Sequence, residues 1–281
     1  MKLTRLLIGL LGFLHGLWFL RGGYIESRSG ESFVLPIYDW IPTNQWIEIT
    51  ALTLIVVGSL LVAFNVRLRV TATVVALSFA YILFSDWSAF HHSTFLAANL
   101  FALLAWSGST RADSKKAAGI AIQFLVGCVY IFAGLHKLLG DGFRSGLVIE
   151  EVSTFISQWI MVHFAGFVPL SVWGTIVIEL FITFALLHRK TRVWAAILGI
   201  GFHIMILAFT ARGALFNMYL PACYPLFLTA EIARLFNWLT PRVPSSIRGL
   251  IARLQEPESL VMNTEGAGYA SAPPKDSPTK R

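Results

Sequence analysis

The sequence predicts an all-α integral membrane protein with about eight transmembrane helices, and three observations carry that prediction. Hydrophobic residues make up 56% of the 281-residue chain and charged residues only 13%, against about 25% charged in soluble domains. The charges are not spread evenly but bracket apolar runs of membrane-spanning size. No ~10-residue segments alternate apolar and polar as barrel strands do, so the spans are helices, which satisfy their own backbone hydrogen bonds in lipid.

The runs follow in order. The first lies between Arg5 and Arg21 and the second between Glu48 and Arg67. Val70 to Ser85, Thr94 to Trp106 and Ala117 to His136 come next. Ser171 to Leu187, interrupted by Glu179, precedes Val193 to Thr210 and finally Ala214 to Ala230. A span needs about 20 mostly apolar residues, so several of these borrow polar flanking residues, and the first, third and fourth are the weakest. The first run ends in "LWFLRGG" without a small-residue cleavage site, so it reads as a span or signal anchor.

Basic residues set the orientation. Lys2 and Arg5, Arg67 and Arg69, Arg111 with Lys115 and Lys116, Arg189 with Lys190 and Arg192, and the tail from Arg234 all fall on one side of an eight-span arrangement. That places both termini in the cytoplasm of a multi-pass protein of the bacterial inner membrane. The net charge of +7 is thus topological. It forms no basic helix or stripe, which argues against nucleic acid as a partner and leaves membrane lipid as the general one. Cys128 and Cys223 both fall inside predicted spans and read as small buried hydrophobes.

Three regions are predicted along the chain: a transmembrane domain over 1–235, an amphipathic interfacial segment over 236–262 and a disordered tail over 263–281. In the second, Ile247, Leu250, Ile251 and Leu254 recur at i, i+3, i+4 and i+7, as in a short helix on the inner leaflet. The tail "GAGYASAPPKDSPTKR" has the Gly, Pro and Ser content of disorder. Two outer loops, Arg21 to Trp46 and Lys137 to Pro169, exceed what a hairpin needs. The second contains "FISQWIMVHFAGF", apolar enough for an interfacial or re-entrant helix, and together the loops suggest a lid over an outward-facing cavity.

The candidate functional residues cluster at that outer depth. His91 and His92 precede the fourth span, His136 ends the fifth, His163 is in the second long loop, His15 is in the outer half of the first span and His203 is near the middle of the seventh. A general-base site could form there. No metal site is expected, because no HxxxH or HxxE spacing occurs and adjacent histidines on a helix point about 100° apart. Lys137 has no acidic residue within three positions. It is either a snorkelling anchor or a base facing a cavity. Glu179 lies about halfway along an apolar span, where an isolated charge costs about 2.5 kcal/mol or more, so it should pair or be protonated.

The order "DWSAFHHSTFLAANLFALLAW", "YIFAGLHKL", a long outer segment, "GIGFHIMILAF" and "NMYLPACYPLF" resembles the HTTM family. That is the horizontally transferred transmembrane domain shared with vitamin K-dependent gamma-carboxylase. The resemblance covers roughly residues 5 to 235. It implies reduced vitamin K or another quinol as cofactor, Lys137 as the base that deprotonates it, and His92 as the histidine that assists carboxylation. His203, Trp87, His136 and Glu179 would then line the cofactor site. His136 stands where the family has the first lysine of its pair, and His91 where an asparagine precedes the family's histidine. The large lumenal domain that binds propeptides in the carboxylase has no counterpart after the last predicted span. The resemblance therefore leaves two expectations: quinone-coupled oxidative carboxylation, or a non-catalytic membrane factor that binds lipid or quinone or assists maturation of a secreted peptide. A base role asks for a partly dry pocket with no carboxylate close to Lys137, and Glu179 is the residue that would spoil it. On that expectation Lys137→Met abolishes turnover and leaves folding intact.

Overall fold

The computed structural model describes residues 1–23, 45–85, 92–109, 111–146, 154–164, 166–209, 217–244 and 248–249. Among them there is no strand, and the chain is an all-α membrane protein. Helices α1 (Lys2–Trp18), α2 (Gln45–Ala63), α3 (Leu68–Ser85), α4 (His92–Ser107) and α5 (Ala112–Leu139) come first. After a short α6 (Asp141–Arg144) come α7 (Phe155–His163), α8 (Phe167–Leu187) and α9 (Arg192–Phe209). Among the described residues, six helices are long and apolar enough to cross a membrane. They correspond to predicted runs one, two, three, five, six and seven. Helix α4, the fourth run, is a shorter apolar helix over Ser93–Ser107.

The eighth run is not a spanning helix in its described part. Residues 217–230 hold a four-residue helix α10 (Tyr219–Ala222) and a 3-10 turn (Tyr224–Leu226). Pro221 and Pro225 each remove a backbone donor and fix φ, which stops a long helix from forming. Tyr219, Leu220, Ala222, Cys223, Tyr224 and Leu226 are all buried, and α10 packs on α1, α4 and α9. The apolar character of this segment serves the inside of the bundle.

Packing runs mainly between neighbours in sequence: α1 on α2, α2 on α3, α3 on α4, α4 on α5, α5 on α8 and α8 on α9. Without a hydrophobic drive between helices in lipid, such contacts depend on close approach of small residues. The buried face of α1 carries Gly9, Gly12 and Gly16. A Cβ at Gly9 would lie 2.7 Å from the backbone nitrogen of Ala63, and one at Gly12 would lie 2.5 Å from Ser59 Oγ and 2.6 Å from Phe101 Cζ.

The segment expected to form an interfacial or re-entrant helix is helical, as α7. Its cap does a second job. Thr154 N–H donates to the Phe209 carbonyl at 3.0 Å, Ser157 Oγ donates to the same carbonyl at 3.0 Å, and Thr154 Oγ1 donates to the Ala208 carbonyl at 3.3 Å. The last carbonyls of α9, which have no partner within their own helix, are thereby satisfied.

The chain divides into two compact units at residue 229. The second contains most of helix α11 (Thr229–Leu239), with Ile232, Leu235, Phe236 and Leu239 at helical spacing. Arg242 stacks 4.1 Å above the Trp238 ring and donates to the Trp238 carbonyl. The four residues that predict an amphipathic segment further along, Ile247, Leu250, Ile251 and Leu254, lie outside the described residues, as does the tail.

Candidate functional site

The site is assembled by three helix faces. On α5 the buried residues Ala118, Ile122, Val126, Tyr130 and Gly134 form one stripe, and Lys137, seven residues after Tyr130, continues it. On α8 the buried stripe is Val172, Ile176, Glu179, Ile182, Thr183 and Leu186. On α9 it is Ala195, Ala196, Gly199, Phe202 and His203. Helices α5 and α8 approach closely because Gly134 presents no side chain: a Cβ there would lie 2.8 Å from Leu180 Cγ.

That approach brings Lys137 and Glu179 together. The ammonium donates to both carboxylate oxygens at 2.6 Å, with the Glu179 side chain 8% and the Lys137 side chain 24% exposed. Lys137 also sits 5.5 Å from the centroid of Phe143 on α6. Lysine therefore does not snorkel away from the bundle. Glu179 has in Lys137 the partner that its position in an apolar span demands, and Lys137 has in Glu179 the carboxylate neighbour a lysine base was expected to lack.

A second polar group lies beside the first. Tyr130 Oη is 2.6 Å from His203 Nε2 and 2.5 Å from Tyr224 Oη. Gly199 makes room for it, since a Cβ there would collide with Tyr224 Oη. His203 is 3% exposed, and its Nδ1 is buried without a hydrogen-bond partner. The Lys137 charge is within electrostatic reach of His203, and the Glu179 charge within reach of Tyr130. Two neighbouring polar groups, one of hydroxyls and imidazole and one of ammonium and carboxylate, can bind a polar head and move a proton.

Of the residues chosen from sequence, Lys137, Glu179 and His203 share this region. His136 is exposed and, one residue before Lys137, points about 100° away from the α5 stripe. His92 begins α4, but its side chain lies outside the described residues, as do His91 and Trp87. Next to His92, Ser93 and Thr94 are buried, and Thr94 Oγ1 has no hydrogen-bond partner. His15 is elsewhere, its Nδ1 3.3 Å from Tyr219 Oη between α1 and α10. His163 donates from Nδ1 to the Trp159 carbonyl at 2.7 Å within α7. Among the described residues, no group of three or more His, Cys, Asp or Glu is placed to hold a metal ion.

Tyr130 and Tyr224 were missed in the sequence. The i, i+7 relation of Tyr130 to Lys137 was a usable signal. Tyr224 gave none, being brought in by a segment that reads as a span.

No curated protein and no solved structure matches the chain. The family model of the HTTM domain matches residues 1–231, which takes in every helix that builds this cluster, and the chain belongs to the HTTM family.

Proposed function

We propose that the chain is a multi-pass inner-membrane protein that binds a quinol at the α5, α8 and α9 cluster and takes the proton from its hydroxyl, as the vitamin K-dependent carboxylases it resembles do. The observation that carries this reading is the Lys137–Glu179 pair beside the buried Tyr130–His203 bond. The residues fit such a cofactor, because an ammonium and an orphaned imidazole nitrogen lie in one apolar region. A bound quinol would supply an acidic hydroxyl, and its oxidation by molecular oxygen would supply the strong base that carboxylation needs.

Lys137 receives the proton when the pair is one proton short, as amine beside carboxylate. The carboxylate then holds the new ammonium, so Glu179 stabilises the product of transfer. On this reading the Lys137–Glu179 pair corresponds to the proton-loaded state. Reloading requires the proton to leave again, and the 24% exposure of the Lys137 side chain gives it a route. His203 and Phe143 orient and enclose the head group, and the helices keep water from the transferred charge.

With the full chain in nanodiscs, a short naphthohydroquinone acquires the absorbance of its anion on binding. Lys137→Met combined with Glu179→Gln, which leaves no unpaired charge, abolishes that change while quenching of tryptophan fluorescence still reports binding. Lys137→Arg fails equally, because a guanidinium is never neutral in a protein. A full absorbance change in the arginine variant would remove the base role.

One observation favours a second reading. Both Glu179 oxygens are taken up by Lys137, as in an interhelical tie. On that reading the protein is a non-catalytic factor that binds lipid or quinone or assists maturation of a secreted peptide. Binding without any anion signal in the unmodified chain selects it.

Both readings keep the N-terminus in the cytoplasm and the Lys137 end of α5 outside, from the bias of lysine and arginine around the helices up to α5. In a cysteine-free background, an impermeant maleimide applied to intact cells labels Asp141→Cys and not Ser109→Cys. The reverse pattern would overturn the orientation.

A further inference from the structure

Helix α11 carries apolar surface beside unneutralised positive charge. Ile232, Phe236 and Leu239 form a partly buried stripe, and on its flank Leu235 and Trp238 are 52% and 56% exposed. The polar needs of the helix end are met locally. Thr240 Oγ1 donates to the Phe236 carbonyl at 2.7 Å, and Arg242 donates to the Trp238 carbonyl while its guanidinium lies 4.1 Å from the indole. Further on, Arg248 Nε donates to the Val243 carbonyl at 2.9 Å. Each guanidinium has five N–H donors, so these contacts leave most of them for other acceptors. Among the described residues, neither Arg242 nor Arg248 forms an ion pair with a carboxylate. From Ile232 to Gln255 the chain holds Arg234, Arg242, Arg248 and Arg253 and no Asp or Glu.

The segment before α11 has a direction. Tyr224 meets Tyr130 on α5, and the Leu226 carbonyl accepts from Gln123 Nε2 at 2.8 Å, about two turns nearer the N-terminus of α5. The chain therefore runs toward the end of α5 that carries Lys115 and Lys116, the cytoplasmic end by the bias of basic residues. We propose that α11 lies on the inner leaflet and binds anionic phospholipid, with Leu235 and Trp238 at the acyl boundary and Arg242 and Arg248 on phosphate oxygens. An exposed indole beside a leucine suits the headgroup level. A guanidinium stacked on that indole has a planar fork already placed for a phosphate. The run of arginines without a carboxylate complements the negative potential of an anionic leaflet. The interfacial segment then begins at Thr229, ahead of the residue 236 expected from sequence. None of this depends on the quinol reading.

The test uses the full chain in a cysteine-free background, in nanodiscs of phosphatidylcholine alone or mixed with phosphatidylglycerol. A nitroxide is attached at Leu235→Cys, on the exposed flank, or at Ala233→Cys, about 160° around the helix. In the mixed lipid the label at 235 collides more with dissolved oxygen than with an aqueous nickel chelate, at a depth of about 5–10 Å, and the label at 233 does the reverse. In phosphatidylcholine alone the inserted component of the 235 spectrum shrinks. Arg242→Gln with Arg248→Gln lowers the ratio of inserted to free label in the mixed lipid about twentyfold, at about fivefold for each arginine, and changes it little in phosphatidylcholine alone. A label at 235 as accessible to nickel as the one at 233 means a helix in water, and a label shielded from both reagents means a helix covered by protein, from this chain or a second copy. Either result overturns the proposal. So does an inserted fraction indifferent to phosphatidylglycerol and to the two arginines, which leaves a membrane contact without recognition of anionic lipid.

Discussion

Lys137→Met lowers the thermal stability of the detergent-solubilised protein sharply, and Lys137→Met with Glu179→Leu recovers most of the loss. Breaking a buried pair by removing one partner costs about 3–5 kcal/mol, because the other charge is left unpaired. Here the remaining group is a carboxylate 8% exposed near the middle of α8. The reciprocal variant Glu179→Leu is milder, because Lys137 is 24% exposed and two residues from the end of α5, so its ammonium can swing toward water. Replacing both partners with apolar residues leaves nothing to desolvate. Denaturation temperatures of the two single variants and the double variant form the measurement, and equal losses in all three would contradict the pair's role. This expectation replaces the one from sequence, in which Lys137→Met left folding intact. An activity test of that variant alone would confuse a lost base with a weakened bundle.

Gly9→Ala and Gly12→Ala each destabilise the protein by about 1–3 kcal/mol, and the leucine variants by more. The added Cβ at position 9 meets the nitrogen of Ala63 at 2.7 Å and its Cα at 2.8 Å, so α1 must move as a body away from α2. At position 12 the neighbours are Ser59 Oγ and the Phe101 ring, which is fully buried. Gly16→Ala is gentler, since its nearest contacts are terminal methyls of Val56 and Ile55. Gly174 on α8 has nothing within 4 Å of its added Cβ, and Gly174→Ala raises the denaturation temperature slightly through helix propensity. Thermal denaturation of the four alanine variants checks the order; a Gly9→Ala protein as stable as the parent would mean that α1 and α2 are not in this close contact.

Hydropathy made the long helices legible because a lipid-facing helix is apolar over a fixed length. At Ala214 to Ala230 it marked a run whose described part holds only short turns, and there Tyr219, Tyr224 and Phe227 are buried by protein. The two kinds of burial read alike along a sequence, and Pro221 and Pro225 were the only local warning. Lys137, Glu179 and His203 were legible as ionisable residues in expensive positions. Their pairing was not, because Lys137 and Glu179 are 42 residues apart and the rotation of each helix decides which faces meet. The glycines of α1 and Gly134 set those rotations, and glycine spacing was not used as a guide. Tyr130 escaped notice because a tyrosine in a span is unremarkable until its hydroxyl is seen to be buried.

The late position of α10 has a consequence for biogenesis. Most of the bundle is made of neighbours in sequence, so each helix can dock on its predecessor as the chain leaves the ribosome. The His15–Tyr219 bond, by contrast, joins residues 204 apart, and Tyr224 closes the polar chain that begins at Tyr130. Helix α1 therefore spends most of synthesis in the bilayer with His15 still awaiting Tyr219, and α5 waits for both His203 and Tyr224 to complete the bonds of Tyr130. A nascent chain arrested before Tyr219 would hold the main helices but would stay an open, polar-cored intermediate. Residues 219–224, added after every long helix of the bundle, act as the latch.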